Sequence, residues 1–173
     1  MSTINYDLTK IKAFIFDVDG VLSPDSTPLS PEGEPMRMMN VKDSYAIHIA
    51  MKHGYGIAII TGCDTEAVRL RFVQAGVKDV YMRSEIKIRD LNDYIDKTGY
   101  KPEEIMYAGD DIPDYHVMSA VGLSVAPADA AHEIKAIAKY VSHCKGGQGV
   151  ARDVIEQVMK AQGKWMGEKA FTW

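Results

Sequence analysis

Short apolar runs alternate with longer helical patterns along almost the whole 173-residue chain. The runs are rich in Ile, Val and Phe and lack polar alternation, as is typical of strands buried on both faces of a parallel sheet. They are Ala13–Phe16, Ile57–Ile60, Val80–Met82, Ile105–Ala108, Leu123–Val125 and Tyr140–Val141. This alternation predicts an α/β fold, a three-layer sandwich with a mainly parallel, Rossmann-like sheet.

Six helical segments accompany these runs, and most of them end at a glycine. Asp43 is a candidate N-cap for the first helix, and Pro113 suits the first turn of the fourth. The predicted helices are Ser44–His53, Thr65–Ala75, Lys87–Thr98, Pro113–Val121, Ala130–Ala138 and Val150–Gln162. The length of the chain and this single pattern predict one domain over residues 1–173.

Two segments depart from the alternation. Ser23–Lys42 has four prolines around a Glu-Gly-Glu turn, which predicts a small β-hairpin insertion rather than a second domain. Residues 164–173 contain Trp165, Phe171 and Trp173, and we expect an extended tail with apolar anchors.

The composition excludes several classes of function. A net charge of −4 and an isoelectric point near 5.7 give no electrostatic surface for nucleic acid or an anionic membrane. No run approaches the ~18 apolar residues of a membrane span, and Met1–Lys12 lacks an apolar signal core. Cys63 and Cys144 have no metal-type spacing. We therefore expect a cytoplasmic protein without a nucleic-acid or membrane partner.

Two acids follow the first predicted strand, where open α/β sheets bind their ligands. Asp17 can attack phosphorus if the phosphoryl charge is neutralised, and Asp19 can protonate a leaving group and then activate water. Gly20 lets the chain turn away at once. Taken alone, this pattern fits a solvated turn equally well.

The second and third predicted strands are followed by groups that suit a phosphate. Thr61 offers a hydroxyl and Gly62 a free backbone amide, although an ordinary strand exit would look the same. Lys87 opens a helix and supplies positive charge, although an isolated lysine is more often solvated surface.

Three acids, Asp110, Asp111 and Asp114, follow the fourth predicted strand within five residues. Such crowding is unfavourable without a cation, and a helix cap would explain only one of them. Carboxylate oxygens suit Mg²⁺, which we expect as the cofactor.

The order of these motifs resembles the haloacid dehalogenase superfamily of phosphotransferases over essentially the whole chain. The resemblance implies that Asp17 is the nucleophile and that Asp19 is the general acid/base, which also gives its backbone carbonyl to the metal. It implies further roles in phosphate binding for Thr61, Gly62 and Lys87, in Mg²⁺ binding for Asp17 and Asp110, and in support of the site for Asp111 and Asp114.

The motifs lie too close together for a cap domain. In finer detail the chain resembles one capless branch, the 3-deoxy-D-manno-octulosonate 8-phosphate (KDO 8-phosphate) phosphatases of lipopolysaccharide synthesis. The similar segments are residues 17–23, 40–45, 109–115, 121–126 and 146–153. The resemblance implies hydrolysis of a small sugar-acid phosphate through an aspartyl-phosphate.

One position departs from that branch, which commonly has an arginine after Thr-Gly where this chain has Cys63. A neutral residue loses a bidentate contact to the sugar carboxylate. Arg71, or a basic residue from another subunit, is a candidate replacement. The other candidate substrate-binding residues are Asn40, Lys42 and Asp43.

Several alternatives stay open. Cys63 is compatible with a phosphatase for a nine-carbon 2-keto-3-deoxy sugar acid, with KDN 9-phosphate or N-acylneuraminate 9-phosphate as substrate. A non-catalytic regulatory domain is disfavoured because all the catalytic positions are filled. A phosphomutase usually needs a cap, and a glycosyltransferase would need a nucleotide-sugar site that no glycine-rich motif indicates.

The missing cap also predicts an assembly. Phosphoryl transfer benefits from a water-restricted site, and only the hairpin and the tail could cover Asp17. The resemblance implies a homotetramer in which hairpins pair in the centre and a tail approaches a neighbouring site.

Overall fold

Six parallel strands form a single sheet at the centre of the molecule. The computed structural model describes residues 4–171 of the chain. The strands are β1 (Ala13–Phe16), β2 (Gly56–Ile60), β3 (Asp79–Tyr81), β4 (Ile105–Ala108), β5 (Leu123–Ala126) and β6 (Tyr140–Val141). Their spatial order in the sheet is β3-β2-β1-β4-β5-β6. The predicted parallel α/β sheet is confirmed. The strand order reverses between β1 and β4, which opens a crevice at their carboxyl ends.

Helices cover both faces of this sheet, as the unbroken apolar strands require. The helices are α1 (Val41–Lys52), α2 (Glu66–Gln74), α3 (Lys87–Thr98), α4 (Tyr115–Ala120), α5 (His132–Ile137) and α6 (Val150–Ala161). Alternate residues of β1 point to opposite sides: Phe14 and Phe16 pack with α1, α2 and α6, whereas Ile15 packs with α3, α4 and α5. Within residues 4–171, no helix has the length and apolar character needed to cross a bilayer.

The start of α1 differs from the prediction. The helix begins at Val41, three residues before the expected Ser44, and the side chain of Asn40 caps it by accepting from the Lys42 amide at 2.8 Å. The assignment of Asp43 as the N-cap is wrong. Its buried carboxylate instead accepts the backbone N–H of Arg152 at 2.7 Å and so joins α1 to α6.

The proline-rich segment, residues 23–40, has less regular structure than a hairpin of two strands. A single antiparallel bridge joins Leu29 to Pro35. Hydrogen bonds from Met36 N to Pro28 O (2.9 Å) and from Ser30 N to Glu34 O (2.8 Å) close the turn. Proline has no amide donor, so a longer ladder cannot form through this sequence.

The C-terminal tail folds back onto its own chain, and the prediction of an extended tail is wrong for the described residues. A short 3₁₀ helix, Glu168–Phe171, follows a turn, and Lys169 Nζ donates to the Lys52 carbonyl at 2.9 Å. The guanidinium of Arg152 lies over the Trp165 ring, with its Cζ 4.6 Å from the ring centroid. The expected anchor Phe171 is exposed, and Trp173 lies outside the described residues.

Candidate active site

The polar residues that follow β1, β2 and β4 meet at one edge of the sheet because these strands are neighbours. Asp17 directly follows β1, Thr61 follows β2, and Asp110 lies two residues beyond β4. The loop after β1 passes so close to Asp110 that a Cβ on Gly20 would overlap its carboxylate. Gly20 also has a φ of +75°, which side chains rarely tolerate.

Lys87 connects two of the acids. Its Nζ lies 2.5 Å from Asp17 Oδ2 and 2.7 Å from Asp114 Oδ1, and all three side chains are buried. Burial favours the neutral amine, but the two carboxylates outweigh that effect and raise the pKa of Lys87. Lys87 is therefore a fixed positive charge beside Asp17, at the first residue of α3.

The Asp114 carboxylate accepts several hydrogen bonds from within the chain. Besides Lys87, its carboxylate accepts from the Tyr107 hydroxyl at 2.6 Å and from the Asp110 amide at 3.1 Å. No local pattern indicated a role for Tyr107, because an aromatic residue inside a buried strand is typical of the hydrophobic core. Asp114 thus orients Lys87 and the Asp110 loop.

The positive charge of Lys87 does not balance the negative charges of the carboxylates around Asp17 and Asp110. Oxygens of Asp17, Asp110 and Asp114 lie within 4.8 Å of one another. Burial, aided by Asp114 and opposed by Lys87, raises the pKa of Asp17 to about 6. Burial and the charges of Asp17 and Asp114 raise the pKa of Asp110 to about 8. Three acids around one ammonium, with no hydrogen bond to the Asp110 carboxylate from the described residues, suit a divalent cation held by Asp17 and Asp110.

A cavity of about 410 Å³ opens above these groups, and both Gly62 and Lys87 line it. Thr61 is buried beside it, and its hydroxyl oxygen accepts the Cys63 amide at 3.1 Å, which leaves the hydroxyl proton available. Cys63 and Asp111 also line the cavity. An anion in this cavity would therefore meet an ammonium and the exposed start of the loop after β2.

Asp19 has a partner that the sequence analysis missed. Arg37 binds it through two parallel contacts, Nε to Oδ1 at 2.6 Å and Nη2 to Oδ2 at 2.8 Å. The third nitrogen, Nη1, donates to Thr65 Oγ1 at 2.9 Å. Arg37 is the only basic residue in residues 23–40, and this was the available signal.

The four candidate substrate-binding residues lie outside the Asp17 cluster. Arg71 is exposed and donates to Ser44 Oγ at 3.0 Å, and the Asn40 amide reaches Gly147 O at 3.4 Å. Lys42 lines a separate cavity beside α6, and Asp43 is engaged at the start of α6.

Comparison with known proteins identifies the family. A family model described as haloacid dehalogenase-like hydrolase matches residues 65–154. The 3-deoxy-D-manno-octulosonate 8-phosphate phosphatase of Salmonella typhi is 39% identical over 154 residues, which cover 89% of this chain and 82% of that protein.

Solved structures agree with this match. The 3-deoxy-D-manno-octulosonate 8-phosphate phosphatase from Yersinia pestis has a TM-score of 0.89 at 34% identity, with 93% of this chain and 87% of that chain covered. The Moraxella catarrhalis phosphatase of the same name was solved with a magnesium ion, a phosphate ion and KDO. It has a TM-score of 0.87 at 28% identity, and the match covers 92% of this chain and 91% of that chain. By its fold, its motifs and these matches, the chain belongs to the haloacid dehalogenase-like hydrolases.

Proposed function

We propose that this protein is a Mg²⁺-dependent phosphatase that hydrolyses KDO 8-phosphate to KDO and phosphate. The observation that carries the proposal is the buried Asp17–Lys87 contact beside Asp110, in a chain similar to KDO 8-phosphate phosphatases over most of its length. A carboxylate next to a fixed ammonium is arranged to attack an anionic phosphoryl group.

Asp17 acts as the nucleophile in this proposal. One of its oxygens already accepts the Val18 amide at 2.6 Å, which fixes the orientation of the carboxylate. The other forms a bond to phosphorus as the ester P–O bond breaks. Asp19 gives its proton to the leaving sugar oxygen, and then removes a proton from the water that hydrolyses the aspartyl-phosphate. Lys87, Thr61 and the Gly62 amide bind the phosphoryl oxygens.

Asp17 and Asp110 would hold Mg²⁺, with Asp19 contributing its backbone carbonyl as the family resemblance implies. The cation would supply the positive charge that Lys87 alone does not, against two carboxylates and a phosphate dianion. Exhaustive chelation should abolish turnover and added Mg²⁺ should restore it, whereas Ca²⁺ should inhibit because its coordination is larger and less regular. Full activity after chelation would contradict the metal assignment.

A substrate panel tests the reaction. KDO 8-phosphate, KDN 9-phosphate, N-acetylneuraminate 9-phosphate and common hexose phosphates would be compared by kcat/KM. KDO 8-phosphate should be the best substrate of the four groups. A tenfold preference for KDN 9-phosphate, roughly 1.4 kcal/mol in transition-state binding, would replace the assigned substrate but keep the chemistry.

The proposed setting is the cytoplasm, in keeping with the free thiols of Cys63 and Cys144. We further propose a homotetramer, since the exposed Leu29, Met36 and Met38 give the proline-rich segment an apolar surface suited to a partner copy. Light scattering should report four subunits. A fully active monomer would contradict the assembly.

The role of the tail in a neighbouring site stays a prediction. Deletion of residues 164–173 should lower kcat/KM for the sugar phosphate more than for a small aryl phosphate. Equal kinetics before and after truncation would remove the tail from the proposal but leave the tetramer.

A further inference from the structure

The contact between Arg37 and Asp19 conflicts with the proposed role of Asp19 as a general acid. Both carboxylate oxygens accept hydrogen bonds from one guanidinium, at 2.6 and 2.8 Å. This bidentate arrangement occupies both of the oxygens that would carry the proton. Asp19 can protonate a leaving group only after Arg37 has turned to another partner.

The surroundings of Arg37 restrict what that partner can be. The arginine side chain is only 11% exposed, so a guanidinium without an anion would be unfavourable there. Its remaining contact, the hydroxyl of Thr65, is neutral. An anion that arrives with the substrate is therefore the natural replacement for Asp19.

That anion is not the phosphoryl group, which belongs beside Lys87 and Asp17. Lys87 is the only basic residue that lines the 410 Å³ cavity among the described residues, and seven acids line it too: Asp17, Asp19, Asp25, Glu85, Asp110, Asp111 and Asp114. A second negative group on the substrate would be repelled from most of this surface. Arg37, bound to Asp19 at the edge of the cavity, is the cation within reach.

We propose that Arg37 recognises the carboxylate of the sugar-acid substrate and that this contact releases Asp19 for catalysis. The inference rests on the proposed function, because it requires a substrate with a carboxylate as well as a phosphate. A planar carboxylate matches the guanidinium fork and can take over both hydrogen bonds now made to Asp19. Arg37 is thus a specificity residue, carried by the proline-rich segment to the side of Asp19.

This exchange predicts effects of opposite sign on two kinds of substrate. Arg37→Met should lower kcat/KM for KDO 8-phosphate about 10- to 100-fold, the loss typical of a charged hydrogen-bonded contact. For a pentose 5-phosphate, which has a similar alcohol leaving group but no carboxylate, the same substitution should raise kcat/KM. That substrate cannot release Asp19 in the wild type, whereas the variant holds Asp19 free.

Two further variants complete the experiment. Arg37→Lys retains the charge but loses the fork, so its ratio of the two efficiencies should lie between those of wild type and Arg37→Met. Arg69→Met removes an exposed arginine that pairs with Glu66 on α2, and it should match wild type on both substrates. Thermal denaturation and light scattering would establish that each variant is folded and equally assembled.

The outcomes separate this inference from the proposed function. A parallel loss on both substrates in Arg37→Met and Arg37→Lys would reduce Arg37 to a residue that only orients Asp19 and would overturn the proposal. An unchanged ratio would overturn it as well. If wild-type protein fails to hydrolyse KDO 8-phosphate, the proposed function itself is wrong.

Discussion

Two acidic regions of this molecule are withdrawn from solvent, and they are neutralised in different ways. Around Asp17 and Asp110, several carboxylates share one ammonium, that of Lys87. Near the start of α6, the Asp153 side chain is 8% exposed and accepts hydrogen bonds from neutral donors. These donors are Tyr140 Oη at 2.7 Å, Ser142 Oγ at 2.6 Å and Gln157 Nε2 at 2.8 Å, and His143 Nδ1 lies 3.5 Å from Asp153 Oδ2.

The difference lies in the balance of donors and charges, not in burial. Asp153 has enough hydrogen bonds to hold a single negative charge, so its region is complete as it stands. Asp110 has no such donors among the described residues, and its neighbours Asp17 and Asp114 add to the repulsion. An acidic cluster that lacks positive charge is a candidate site for a cation and an anionic substrate. A cluster whose carboxylate is fully hydrogen-bonded has a structural role.

The largest expected difference between the two regions is catalytic. Asp17→Asn should lower turnover of KDO 8-phosphate by more than about 100-fold, because an amide cannot form the phosphoryl intermediate. Asp153→Asn, the matched control, should keep turnover within about threefold of wild type, a change of roughly 0.7 kcal/mol. Steady-state kinetics on both folded variants measure this. A residual rate above about a hundredth in Asp17→Asn would remove Asp17 as the nucleophile.

A smaller effect is expected on stability, where substitution at Asp153 should be more damaging than substitution at Asp17. Asp153→Ala leaves the Ser142 and Tyr140 hydroxyls without their acceptor, and both residues are buried. The free energy of unfolding should fall by about 2–4 kcal/mol, as for loss of a buried charged acceptor. Urea denaturation gives this value. Asp17→Asn should lower the free energy of unfolding by less, because it also relieves repulsion from Asp114. An equal loss in the two variants would contradict the difference between the two regions.

A further expected difference, which needs no substitution, is the pH dependence of stability without metal. The folded pKa values of Asp17, about 6, and Asp110, about 8, lie above their ordinary value of 3.8. The folded state therefore retains protons that the unfolded chain releases. The stabilising contribution is full below about pH 4 and is lost as pH rises through 6 and 8.

Mg²⁺ should reverse this loss, because it favours the ionised carboxylates. The increase in Tm on adding Mg²⁺ should be larger at pH 8 than at pH 6, and Asp110→Asn should largely remove it. Thermal denaturation at the two pH values tests this. An equal Mg²⁺ effect at both would indicate that these carboxylates are not the metal ligands.

Local patterns predicted the framework of the molecule well. Three strands, β1, β4 and β6, begin and end where the apolar runs do, and the others differ by one residue at one or both ends. The position of the motifs at strand ends then implied that Asp17, Lys87 and Asp110 would meet. Both inferences depend on backbone periodicity and on the geometry common to parallel sheets, which neighbouring residues encode.

Other features depended on contacts between segments far apart in the chain. Asp43 followed the composition rules for a helix cap, yet it binds α6 because packing brings the Arg152 amide to it. The tail folds back on α1, and Arg37 reaches Asp19 across 18 residues of sequence that have almost no regular structure. The sequence alone determined the sheet, its helices and the residues that gather at its carboxyl edge. Only the tertiary structure decided which side chains pair there, because ion pairs and hydrogen bonds require a distance and an orientation that no local pattern specifies.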